Sequence, residues 1–403
     1  MKTNICHLIL ITFVLFLYAG CNRNSNVKTQ TMIIDIEHSV GNEKEVRLSS
    51  VAADIKYIPL ETNDNSLLGN SINVYMNDGR IYVFENSQML FKVFDSNGKY
   101  LGNIGQKGKG GGEYSSVNNN SLSFNPENGN IMILSPDKLL EFDRNSRKCI
   151  REIKYKGTMM LNKIMILGDY YVAFVYNSEH NPEISILDKE GKEIDAGRID
   201  STFYKKLRYK KEDKMEIKIG NFNIMPQYIP YNFENRLRLM MSENDTIYSL
   251  DKKLKVSDSF IFQWGKYKFN GCYDSLERGP GIFYVPGMTY ESKKYLFLAL
   301  NYGNNKNRIA KGSLYYGIFD KVNGKLQIID YTEENAGKFL NDIDNGMPFW
   351  PRYINSDNEM VAIMDAYKFI DLSNKYNSPE MKRAAAGLTE LSNPVVIISK
   401  LKD

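Results

Sequence analysis

A repeat restricts this chain more than anything else in it. Arg80–Phe84 (RIYVF) is followed by Leu90–Phe94 (LFKVF), by the turn Asp95-Ser96-Asn97-Gly98, and by a further run, Lys99–Ile104. Short runs of β-branched and aromatic residues between turn residues read as strands joined in a meander. Gly98 can take a positive φ, and the Asp95 carboxylate can fold back onto the turn amides. The unit recurs as Asn130–Leu134, Lys138–Asp143 and Lys148–Tyr155, then as Tyr170–Tyr176, Glu183–Asp188 and Lys192–Asp200. It returns as Arg236–Met241, Thr246–Asp251 and Leu254–Phe262, then as Tyr295–Asn301, Leu314–Asp320 and Lys325–Tyr331. A sixth copy begins at Glu359–Met364 and ends at Pro394–Leu401. Asp95, Asp143, Asp188, Asp251 and Asp320 hold equivalent places, at spacings of 48, 45, 63 and 69 residues. Modules of this length built from short strands predict propeller blades, so the chain is expected to be all-β, a six-bladed β-propeller.

The first thirty residues predict an address. Lys2 precedes an uncharged apolar run, Leu8–Tyr18, too short to span a bilayer as a helix but suited to the core of a signal peptide. Ala19, Gly20 and Cys21 follow. This looks like the lipobox of bacterial lipoproteins, with Tyr18 where a branched aliphatic residue is usual, and it makes Cys21 the expected lipidation site. A plain secretory signal cut nearby is the alternative. Residues 1–20 are then the signal peptide, 21–44 a polar tether, and 45–403 the propeller. Removing 20 residues from 403 leaves 383, about 64 per blade. A bare blade takes roughly 40–50 residues, so the excess falls in loops, at 201–235, 263–292 and 301–312. A strand within Glu45–Glu61 is placed to complete the last blade and close the ring, which removes exposed sheet edges. Pro379–Leu391 lacks strand alternation and predicts a short helical insertion near the C-terminus, with Pro379 in its first turn.

The segment Gly79–Gly112 (GRIYVFENSQMLFKVFDSNGKYLGNIGQKGKGGG), continued by Glu113-Tyr114, resembles an NHL-type propeller repeat. With the lipobox, Lys56–Thr62 (KYIPLET) and Asn393–Lys402 (NPVVIISKLK), the chain from about residue 45 to its end is similar to the six-bladed β-propeller lipoproteins of Bacteroidetes. The resemblance implies a lipid-anchored place in the bacterial envelope, at the outer membrane and facing periplasm or surface. It also implies association with nutrient uptake and sensing systems. It implies no reaction.

Few residues advertise chemistry. Charge is nearly balanced, 52 Lys+Arg against 48 Asp+Glu, with no basic block, so nucleic acid is not an expected partner. Gly105–Tyr114 (GQKGKGGGEY) lacks the Gly-Lys-Ser/Thr ending of a phosphate loop and leads into no helix. It reads as a crossover between blades, in which Lys107 and Lys109 could meet an anionic ligand near the axis. His38 and His180 lie in polar segments, so neither a catalytic triad nor a zinc site is supported. Asn341–Gly346 (NDIDNG) has Ile343 where a calcium loop wants an oxygen ligand, and reads as an Asx turn. No metal and no cofactor are expected. Cys149 and Cys272 are 123 residues apart; the compartment permits a disulfide that sequence alone cannot pair.

Aromatic residues are the remaining candidates. Trp264 and Tyr267, with Tyr284 further on, form one group, and Trp350, Arg352 and Tyr353 another. Aromatic faces stack on sugar rings and anchor partners, and they also pack between blades. The chain is therefore expected to be a binding module for a glycan ligand or a protein partner. The alternative is a carbohydrate-active enzyme, a hydrolase or lyase, with carboxylates or Tyr at the axial mouth.

Overall fold

The computed structural model describes residues 31–69, 73–118, 120–154, 160–176, 182–208, 217–219, 222–224, 228–241, 245–268, 281–284, 288–303 and 314–402. Six sheets of four or five strands follow one another along the chain as the blades of a six-bladed β-propeller. Each runs outward from the axis as a meander. In blade 1 the order is Asn73–Asn77, Arg80–Glu85, Leu90–Phe94 and Tyr100–Ile104. The repeat read in the sequence corresponds to the second, third and fourth strands of blades 1 to 5 and to the second and third of blade 6. The aspartates act as expected. Asp95 Oδ1 accepts from the Asn97 and Lys99 amides at 2.8 and 2.9 Å. Asp188 Oδ1 accepts from Glu190 and Lys192 at 3.0 and 2.8 Å, and Asp251 Oδ1 from Lys253 and Lys255 at 2.9 and 3.0 Å.

Successive side chains of the middle strands point to different neighbours. On Arg80–Glu85, Tyr82 and Phe84 pack toward blade 2, while Ile81 and Val83 pack toward blade 6. Every interface between neighbouring blades holds such an apolar cluster.

The ring closes through the N-terminal side. Lys56–Pro59 pairs antiparallel with Val395–Lys400 and becomes the outer strand of blade 6. Closure also reaches further back than the expected domain boundary. Met32–Asp35 lies parallel on Val256–Gln263 at the rim of blade 4, and Ile34 and Ile36 are fully buried. The segment then bridges blade 5 at Lys44–Ile329 and Arg47–Leu340 before entering blade 6. The latter part of the expected tether, from Met32, is thus a belt along three outer edges, because its isoleucines find apolar cover there.

Two further expectations change. Lys192–Asp200 was expected as one strand. It is a two-residue strand, Glu193–Ile194, and then a helical turn, Ala196–Ile199, whose N-cap Asp195 accepts from the Gly197 amide at 3.0 Å. The insertion in blade 6 is two helices, Ala366–Lys375 and Pro379–Ala385. The second has Pro379 in its first turn, as the sequence predicts, and Ser378 as its cap. The first buries Ala366, Phe369 and Ser373, a helical spacing hidden among β-favouring residues.

The seam between blades 6 and 1 is tight. Gly98, at φ +84°, leaves no space for a side chain: a Cβ there would sit 2.2 Å from the Pro59 carbonyl oxygen. The Glu61 amide donates to Gly98 O at 2.8 Å, and Glu61 Oε2 accepts from the Tyr100 amide at 2.7 Å. Gly98→Ala should cost at least about 1–2 kcal/mol from the left-handed backbone alone. It should be seen as a lowered urea midpoint; an unchanged midpoint would mean the seam has slack.

Candidate functional site

The innermost strands escaped the sequence repeat, and they build the site. They are Asn73–Asn77, Leu122–Phe124, Met160–Leu167, Tyr228–Phe233, Tyr290–Glu291 and Tyr353–Ile354, one per blade. All six line an axial cavity of about 740 Å³. Its mouth lies at the face carrying the first hairpin turn of the blades, at Asp78, Asn125–Gly129, Glu234-Asn235 and Asn355–Asn358. The turns carry positive φ at Asp78, Gly79, Glu234 and Asn358, which suits tight hairpins. Those turns are the signal that could have located the inner strands.

The wall is aromatic and polar together. Tyr75 and Tyr353 meet edge to face, ring centroids 5.9 Å apart, and Phe124, Tyr231, Phe233 and Tyr290 share the lining. Burial pushes Tyr75 and Tyr290 up to about 12. Tyr353 is also raised, by burial first and then by Tyr75 and Asp357. These phenols stay protonated donors at neutral pH.

A charged cluster lies beside the cavity between blades 4 and 5. Glu291, whose side chain is fully buried, accepts from Arg238 Nε at 2.9 Å and Nη2 at 3.1 Å. It also accepts from Lys321 Nζ at 3.0 Å and from the Tyr231 hydroxyl at 3.0 Å. Phe233 lies under both cations, 5.3 Å from the guanidinium carbon and 4.1 Å from the ammonium. A buried charge is tolerable only with such pairing. Two cations on one carboxylate leave the cluster positive, and burial lowers the Lys321 pKa.

Lys163 has no such pairing. It reaches into the cavity from blade 3, and among the described residues its ammonium bonds to the Pro230 carbonyl at 3.3 Å. Desolvation brings its pKa down to about 8.

The residues singled out by sequence are dispersed. Tyr353 lines the cavity and Arg352 is exposed directly before it. Trp264 and Trp350 are not surface platforms; they are 7% and 6% exposed, in the cores of blades 4–5 and 5–6 respectively. Trp264 stacks on Phe262 at 5.3 Å and donates to Asp245 Oδ1 at 2.8 Å. Trp350 packs on Tyr316 and Phe339 at 4.5 and 5.1 Å. Blade-to-blade packing claims both indoles: Trp264 directly follows the outer strand of blade 4, and Trp350 lies on the crossover into blade 6, next to the Phe339–Phe349 bridge. Tyr267 is half-buried against the Trp264 cluster. The Tyr284 side chain, Cys21, His180 and Cys272 lie outside the described residues.

Lys107 and Lys109 are exposed on the crossover between blades 1 and 2 and do not line the axial cavity. The Gly108 amide donates to Tyr114 O at 3.0 Å, and Glu113 Oε2 accepts from the Gly110 amide at 2.7 Å. His38 Nδ1 faces Asp35 Oδ2 at 2.8 Å on the surface. Asn341 and Asp344 close an Asx turn onto Ile343 and Gly346. Among the described residues no group of three metal-ligating side chains occurs.

A family model described as "Domain of unknown function (DUF4934)" matches residues 31–400. The chain belongs to the DUF4934 family. The matched span starts at the belt strand, so the family unit includes the belt and the ring it closes. Among solved structures, the chain is similar to a protein from Bacteroides fragilis NCTC 9343 described as "Putative exported protein". The TM-score is 0.64 at 16% identity, over 93% of this chain and 100% of that one. It also matches a member of the duf4221 family from Bacteroides vulgatus ATCC 8482, with a TM-score of 0.47 at 12% identity, over 89% and 99% of the two chains. The first likeness shows the fold. No functionally curated protein matches the sequence.

The Lys163 geometry has a consequence for stability. A free lysine ionises near 10.4; in the fold Lys163 ionises near 8. Between these values the unfolded chain binds more protons, so stability should rise with pH across that window. Lys163→Met removes a buried ammonium and should be more stable than wild type at pH 7, by up to about 3 kcal/mol. The gap should close between about pH 8 and 10.4, measured by urea unfolding at a series of pH values. Equal stability at pH 7 would mean that cavity water already solvates the amine.

Proposed function

We propose that the chain is a lipid-anchored envelope protein whose propeller is a ligand-binding module, accessory to glycan uptake or sensing. The observation that carries the reading is the axial cavity, a concave space with contributions from every blade, aromatic walls and a few buried polar groups. Such a lining suits a sugar: rings stack on Tyr faces while hydroxyls meet phenols and amides. Cys21 would carry the lipid. Only ten residues separate it from Met32, where the belt begins. At about 3.5 Å per residue that tether spans less than about 40 Å, keeping the propeller near the membrane. The NHL-like blade sequence and an outer-membrane address belong to the same reading.

The second reading, a carbohydrate-active enzyme, draws on Lys163. An amine ionising near 8 suits a general base that removes a proton beside a sugar carboxylate. Release of an unsaturated sugar product would favour it over simple binding.

Two experiments test the main proposal. Titration calorimetry with neutral and uronic oligosaccharides should detect binding that Tyr353→Ala weakens about tenfold or more, while Trp264→Phe leaves it unchanged. Equal affinity in Tyr353→Ala would remove the axial cavity as the site. Metabolic labelling with a radioactive fatty acid should mark the wild-type chain and not Cys21→Ser; label on both would place the anchor elsewhere.

A further inference from the structure

Next to Tyr290 and Tyr353 of the cavity wall, blades 5 and 6 bring together donors with nothing to accept from them. Arg352 directly precedes the inner strand of blade 6, Tyr353–Ile354, and is exposed. Lys338 lies on the crossover from blade 5, one residue before Phe339, which bridges antiparallel to Phe349. That bridge sets Lys338 beside Trp350. Trp350 in turn packs on Tyr316 at 4.5 Å. The charge on Arg352 reaches Lys338, Tyr290 and Tyr316, and Tyr290 also lines the axial cavity.

The hydrogen-bond inventory is one-sided. Trp350 Nε1 is buried and has no partner. Among the described residues, neither the Lys338 ammonium nor the Arg352 guanidinium has a carboxylate within ion-pair distance. Each residue's hydrogen bond in the fold is made by its backbone amide, to Asn335 O and Val361 O. Four other cations beside the cavity are matched, Arg144 with Asp78 at 2.9 Å, Lys252 with Glu127 at 3.0 Å, and Arg238 and Lys321 with Glu291, whereas Lys163 meets only the Pro230 carbonyl. Two cations held near each other repel, and burial adds to the cost for Lys338, whose pKa is lowered by desolvation first and by Arg352 second. A fold that leaves such a pair without an acid gains most from an anion supplied from outside. Arg offers a planar fork to a carboxylate and Lys a point charge.

We propose that Lys338 and Arg352 form an anion subsite, completed by Tyr290, Tyr316 and Trp350, that takes the carboxylate of an acidic sugar whose rings occupy the axial cavity. This rests on the glycan-binding reading and adds the ligand's charge to it. It makes a uronic-acid oligosaccharide the preferred class over a neutral one.

The test uses the full chain in detergent, with oligogalacturonate, a neutral gluco-oligosaccharide of equal length, and sulfate alone as titrants. Oligogalacturonate should bind, and Arg352→Gln and Lys338→Gln should each weaken it about tenfold or more, the loss of one charged hydrogen bond. Arg352→Lys should recover part of the affinity, and thermal melting should confirm that each variant is folded. Oligogalacturonate affinity equal in wild type and both Gln variants, or equal affinity for the neutral oligosaccharide, would overturn the subsite. Sulfate binding that Arg352→Gln abolishes, with neither oligosaccharide bound, would keep the anion subsite and overturn the axial glycan reading.

Discussion

The structure depends on one constraint: the middle strands of every blade are apolar on both faces. Ile81, Tyr82, Val83 and Phe84 are all nearly inaccessible, and consecutive members face different blades. A sheet of this kind cannot end in water on either side. Each blade therefore needs two neighbours, and the array must close on itself. The parallel belt at Met32–Asp35 and the donated strand Lys56–Pro59 follow from that need, since both cover edges the meander leaves open.

Closure has a complementary effect at the axis. Six inner strands converge there with little room for apolar interdigitation, and several are only two or three residues long. Where they converge the wall is made of tyrosines, amide side chains and a few charges instead of aliphatic core. Glu291 collects Arg238, Lys321 and Tyr231, which holds blades 4 and 5 in register while preserving the cavity beside them. Lys163, Lys338 and Arg352 are not neutralised in this way. The wall and its margin thus mix aromatic surface with positive charge that has no acid of its own, which is the basis of the proposed acidic ligand.

The sequence made the outer three strands of each blade legible because they repeat: an apolar run, an aspartate that caps a turn, a second run. The inner strands were not legible as strands. They are short, carry polar residues toward the axis, and have no common spelling. The site was legible only where it touched the repeat. Tyr353 and Arg352 were named for belonging to an aromatic loop, and that loop does lead to the axis. Trp350, in the same loop, and Trp264 turn inward to fill interfaces, because both the end of the outer strand of blade 4 and the crossover into blade 6 run against the neighbouring blade. Lys163 and Glu291 looked like any other charged residues.

By itself, then, the sequence determined the module, its number, the closing strand and the Asp-capped turns, all local consequences of strand period and turn chemistry. It also raised the expectation of a signal-like segment before the propeller. Only the tertiary structure decided which side chains share the axis, because residues as distant as Tyr75 and Tyr353 become neighbours only when the ring closes. It likewise decided which charges are matched: an ammonium is ordinary on a strand edge and costly in a cavity, and the difference lies in what the other blades bring to it.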